Sequence, residues 1–94
     1  MDKERVLHEE RIAGAEADQL RSFKAWVRAV EHTEAEIVRQ LKTVGIKDKE
    51  LQADLVRSLQ LLGILTKFIE QASDSGKMAA LELEQKGKFA RLFR

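Results

Sequence analysis

Residues 55–69 read Leu55-Val56-Arg57-Ser58-Leu59-Gln60-Leu61-Leu62-Gly63-Ile64-Leu65-Thr66-Lys67-Phe68-Ile69. Wound as a helix, this stretch is apolar on nearly every side. A helix apolar all round is one that is covered all round. Leu55, Leu62, Leu65 and Ile69 fall on one seam, and Val56, Leu59, Leu61, Ile64 and Phe68 fall outside it. One neighbouring helix cannot cover that much circumference. The stretch therefore predicts a second helix from the same chain and further cover from elsewhere.

The seam extends in both directions. Within the stretch it also takes in Ser58; upstream it passes Leu51, and downstream it runs through Ala72, Gly76, Ala79, Leu83, Lys86, Ala90 and Phe93. Its three-four alternation is the seven-residue repeat of a helix packed along a neighbour. The phase does not slip at Ala72-Ser73-Asp74-Ser75-Gly76, although a serine or aspartate there has the chemistry to cap a new helix. The reading is one helix over 49–92, with a kink or break allowed near 73–76.

Before this helix lies Val44-Gly45-Ile46-Lys47-Asp48, the one clear turn signal. Gly45 suits a left-handed residue past a helix end, with Ile46 folding back on Leu41. Lys42 complements the dipole of the ending helix, and Asp48 caps the next one, with Glu50 in its first turn. Ahead of the turn, Leu20, Phe23, Val27, Val30, Ile37 and Leu41 carry the same repeat, so a first helix is expected over 3–44.

Folded at 45–48, the chain is an antiparallel helical hairpin in a single domain, 1–94. Leu41 then meets Leu51, Ile37 meets Leu55, Val30 meets Leu62, Val27 meets Leu65 and Phe23 meets Ile69. Glu34 meets Ser58 in one polar layer of a coiled-coil-like seam. Ala13, Gly14 and Ala17 face the Gly76–Ala80 region, where small residues permit close approach. Residues 1–18 hold six acidic and three basic groups, while 86–94 hold Lys86, Lys88, Arg91 and Arg94 and no acid. That asymmetry favours the antiparallel arrangement, though each exposed pair contributes little.

Composition agrees with an all-α chain and narrows the chemistry. The 94 residues include no proline, no cysteine and two histidines, with 35% charged and 44% hydrophobic residues. Disulfides and thiolate metal sites are excluded. His32 stands four residues before Glu36, but Ala29 occupies the place of the glutamate in a Glu-x-x-His di-iron signature. His8 follows Glu4 by one turn and is read, like His32, as a surface histidine. Neither a metal nor another cofactor is expected. No serine stands in a nucleophile elbow and no glycine-rich phosphate loop is present, so no enzyme is expected. The formal charge of +1 recruits neither nucleic acid nor membrane globally. Met1-Asp2-Lys3-Glu4-Arg5 leads into no signal-type apolar core, and the longest apolar run, Leu61 to Leu65, is far short of a span. A cytoplasmic protein is expected.

A chain this small is reinforced by a disulfide, a metal or a partner, and the partner is what remains. The expected interface consists of Val56, Leu59, Leu61, Ile64 and Phe68 with Trp26 and Val38 from the first helix. Its simplest form is a homodimer making a four-helix bundle. The functional expectation is a non-enzymatic adaptor, assembly or inhibitor protein acting through protein–protein contacts, by analogy of size and class with small bacterial and phage accessory proteins. The second-ranked expectation is an oligomer holding an anionic ligand, nucleotide or nucleic acid through Arg21, Lys24, Arg28 and Arg57. The basic amphipathic tail, with Phe89, Arg91, Leu92, Phe93 and Arg94, is a candidate docking segment for a further protein.

Overall fold

The computed structural model describes residues 2–92, the side chain of Phe89 excepted; Phe93 and Arg94 lie outside the described residues. These residues form three helices and no strand, so the protein is all-α: α1, Lys3–Ser22; α2, Lys24–Thr43; and α3, Lys49–Leu92. The contacts divide into two compact units. Unit 1 is Met1–Arg21 with Ile69–Arg94, and unit 2 is Ser22–Phe68.

The starts of α1 and α3 have a local cause. Asp2 caps α1, its Oδ1 accepting the Glu4 N–H at 3.1 Å. Asp48 caps α3, its Oδ1 accepting the Leu51 N–H at 3.1 Å while its carbonyl accepts from Gln52. An N-cap of this kind satisfies a donor that the helix itself leaves unpaired. The turn differs from the left-handed glycine expected at Gly45. Val44 takes an extended conformation at φ −66° and ψ 138°, and no described glycine has a positive φ. The Gly45 carbonyl instead accepts two hydrogen bonds at 3.0 Å, from the Asp48 N–H and from Gln52 Nε2. Held this way, the turn points Ile46 into solvent rather than onto Leu41.

Two expected continuities are exchanged. The helix predicted over 3–44 is interrupted at Phe23, whose backbone is extended at φ −70° and ψ 124°. The Phe23 carbonyl accepts the first bond of α2 from the Val27 N–H at 3.1 Å, but its side chain has no capping atom to offer. Conversely, α3 runs through 73–76 without a break. Ser73, which could have capped a new helix there, instead donates its hydroxyl to Asp18 at 2.6 Å.

Unit 1 packs small residues. Leu7, Gly14 and Ala17 of α1 and Ser73, Gly76 and Ala79 of α3 are its buried residues. The pairs Lys3–Glu82, Gly14–Gly76 and Asp18–Ser73 run in opposite chain order, so α1 and this part of α3 are antiparallel. Gly14 and Gly76 meet backbone to backbone. A Cβ on Gly14 would overlap the Gly76 Cα and stand 2.8 Å from the Ala72 carbonyl oxygen; one on Gly76 would stand 2.5 Å from the Gly14 Cα. Among the described residues, Lys3–Glu82 and Lys77–Asp18, both 3.8 Å, are charge contacts between these helices.

Unit 2 is held by larger side chains and covers them less. Leu55 is its one buried residue. Trp26, Val30, Ile37, Val38, Leu41, Leu59 and Leu62 are half-buried, as is Leu20 in unit 1, along with Ile69. Phe23, Val27, Leu51 and Leu65, expected in the hairpin core, are exposed. For Phe23 the cause is the helix break; the other three lie beyond what the single neighbouring helix covers. The expected Glu34–Ser58 layer is altered too. Ser58 donates to the Asp54 carbonyl of its own helix at 2.8 Å, while Glu34 shares a recess of about 150 Å³ with Val30, Leu59, Leu62, Gly63 and Thr66.

Substitutions at four positions test these features. Gly14→Ala or Gly76→Ala forces backbones apart and is expected to cost about 1–3 kcal/mol by thermal unfolding. Gly87→Ala, where an added Cβ meets nothing within 4 Å, is expected to stabilise the helix by up to about 1 kcal/mol. Phe23→Asp supplies the missing cap and is expected to raise stability by about 0.5–2 kcal/mol. If helicity and melting temperature fall instead, α1 and α2 are one helix.

Candidate functional site

The strongest candidate is built on α3 within unit 2. Leu61, Ile64, Leu65 and Phe68 are 59%, 65%, 48% and 66% exposed. Their spacing of three, one and three places them within about 100° of arc on one helix flank. Asp54 and Arg57 continue the same flank towards the start of α3 and pair with each other at 3.7 Å. The stripe is thus a block of four large apolar side chains with charge at one end. Isolated exposed leucines are ordinary on a protein surface, whereas a contiguous apolar block marks a contact surface.

The expected interface residues separate on this geometry. Leu61, Ile64 and Phe68 belong to the stripe. Val56 is exposed too, but helical geometry puts it on the other side of the seam, with half-buried Leu59 between. Trp26 and Val38 on α2 are half-buried. Leu65 was assigned by the repeat to the seam, although its spacing from Leu61, Ile64 and Phe68 already carried the signal of a second face.

Of the basic candidates, Arg21 stands in the last turn of α1, in unit 1, and Lys24 and Arg28 on α2, in unit 2. All three are exposed, and Arg57 is engaged by Asp54. Among the described residues no group of three or more His, Cys, Asp or Glu side chains is placed to hold a metal ion. No helix among them is long and apolar enough to cross a membrane. Of the tail candidates, Leu92 is exposed and Arg91 Nε donates to the Gly87 carbonyl at 3.4 Å. Phe93, Arg94 and the Phe89 side chain fall outside the described residues.

The electrostatics of each unit are local. In unit 1, Asp18 accepts from the buried Ser73 hydroxyl and faces Lys77 and Arg21. The Ser73 hydrogen bond, followed by these cations, holds the Asp18 carboxyl below its ordinary value. Alongside lies a recess of about 180 Å³ lined by Arg11, Gly14, Asp18, Ser73, Gly76 and Lys77. In unit 2, Glu36 accepts from Arg39 at 2.6 and 3.0 Å and from Gln40 at 3.1 Å. The Arg39 bond, then the Gln40 bond, pulls Glu36 down to about 2 and raises Arg39.

No protein-family model matches the chain, nor does any curated protein or solved structure. The stripe and the Asp18 cluster are therefore interpreted from their own geometry.

The sign of the Asp18 effect is defined. A carboxyl whose folded value is depressed stabilises the fold above its ordinary value near 3.8, and that stability is lost as pH falls through the depressed folded value. Asp18→Asn is therefore expected to lower the melting temperature at pH 6, with the gap from the parent protein closing as pH falls from 4 towards 2. A gap that does not change with pH would assign the loss to packing.

Proposed function

We propose that this chain is a non-enzymatic adaptor, assembly or inhibitor protein of the cytoplasm that works as a homodimer. In this reading the helices of one chain form a hairpin, two hairpins form a four-helix bundle, and the bundle acts by occupying the surface of another macromolecule. The observation that carries it is the open stripe Leu61, Ile64, Leu65 and Phe68. Closing each such side chain against a neighbour contributes roughly 1–2 kcal/mol, given its partial exposure. The supply of such residues exceeds what one neighbouring helix can use, because Phe23, Val27, Leu51 and Val56 of the same unit are also open. A second copy answers that excess without a further gene product, and closed symmetric association is the commonest solution.

Sedimentation equilibrium at tens of micromolar tests the reading. The expected mass is twice the 10.7 kDa of one chain. Ile64→Glu with Phe68→Glu is expected to halve it while circular dichroism still reports helix. Leu81→Glu, an exposed position in unit 1, is expected to leave it unchanged. A parent protein that sediments as a monomer overturns the proposal.

A further inference from the structure

We infer that a second copy of this chain covers the stripe in the antiparallel sense, α3 against α3, with the two-fold axis passing between Ile64 and Leu65. The inference rests on the self-association proposed above and adds its direction and centre.

The spacing of the stripe is the first argument. Reading from either end, Leu61, Ile64, Leu65 and Phe68 are separated by three, one and three residues. A reversed copy therefore meets the original apolar residue for apolar residue. Ile64 faces Leu65 of the second copy, and Leu61 faces Phe68. Such a self-complementary patch is what an isologous interface requires, because each residue contacts its counterpart twice over.

Charge selects between the two directions. Arg57 and Asp54 lie in the same arc as the stripe, about one and two turns from Leu61 towards the start of α3. Parallel pairing in register stacks Arg57 on its own copy and Asp54 on its own copy, and like charges so placed repel. Antiparallel pairing about the stripe's centre moves the two Arg57 residues about 22 Å apart along the axis. That separation is well beyond the roughly 8 Å screening length at physiological ionic strength. Each Arg57 then keeps its own Asp54 at 3.7 Å.

Area is the third argument. Four large side chains left about half to two-thirds open supply on the order of half of the roughly 800 Å² per partner of a standard interface. Further exposed apolar side chains of the same unit are available for the rest.

The chain has no cysteine, so single-cysteine variants report pairing directly. Ile64→Cys, Leu61→Cys, Phe68→Cys and Arg57→Cys are oxidised at micromolar concentration, and each reduced variant is first weighed by sedimentation. The expected result has three parts: Ile64→Cys links to itself, Leu61→Cys mixed with Phe68→Cys gives the mixed dimer, and Arg57→Cys gives no link. A parent dimer in which Arg57→Cys and Leu61→Cys each link to themselves overturns the antiparallel direction while leaving self-association standing. A parent dimer in which Ile64→Cys and the mixed pair both fail to link places the interface elsewhere and also overturns the inference. A monomeric parent protein removes the proposed function itself.

Discussion

A helix can be covered by one neighbour over only part of its circumference, and α3 carries more apolar surface than that part. Between Ser22 and Phe68 the α2 helix brings a single residue, Leu55, to full burial. Leu59 and Leu62 are half covered, and the stripe from Leu61 to Phe68 is left open. The hydrophobic effect acts on area removed from water, irrespective of which chain removes it. The open stripe is thus a standing demand for a neighbour, and the proposed role of the protein follows from how that demand is met.

Unit 1 solves the packing problem by the opposite means. It brings backbones together at Gly14 and Gly76 and surrounds that contact with Ala17, Ala79 and Ser73. Small residues bury little area each, so dispersion between close backbones and a specific polar clasp contribute a larger share. Ser73 is 1% exposed, yet its hydroxyl is satisfied by Asp18, which is itself balanced by Lys77. Ile12, Met78, Leu81 and Leu92 of this unit are exposed as well, Met78 and Leu81 three residues apart on one flank of α3.

Much of this was legible in the residues, and the failures share a cause. Asp48 was readable as a cap because its chemistry is local: one carboxylate, one N–H, three residues apart. Along α3 the seven-residue phase never slips, yet the capping chemistry of Ser73, Asp74 and Ser75 leaves a kink or break near 73–76 open in the sequence alone. The break at Phe23 carried no such mark, since neither glycine nor proline stands near it and Ser22 is the only neighbour with capping chemistry. Gly45 was misjudged because two donors, Asp48 N–H and Gln52 Nε2, hold its carbonyl in a turn that needs no left-handed residue.

By itself the sequence determined the helical class, the place of the turn at 45–48 and the excess of apolar perimeter between Leu55 and Ile69. Each of these depends on propensity, capping or periodicity, which act within a few residues along one chain. Only the tertiary structure decided that α1 stops before Phe23, that Ser73 binds Asp18 instead of ending a helix, and that Leu65 is open while Leu55 is closed. Those outcomes depend on which neighbour reaches which side of a helix. The repeat places Leu55 and Leu65 alike on the seam, and only the position of the second helix separates them.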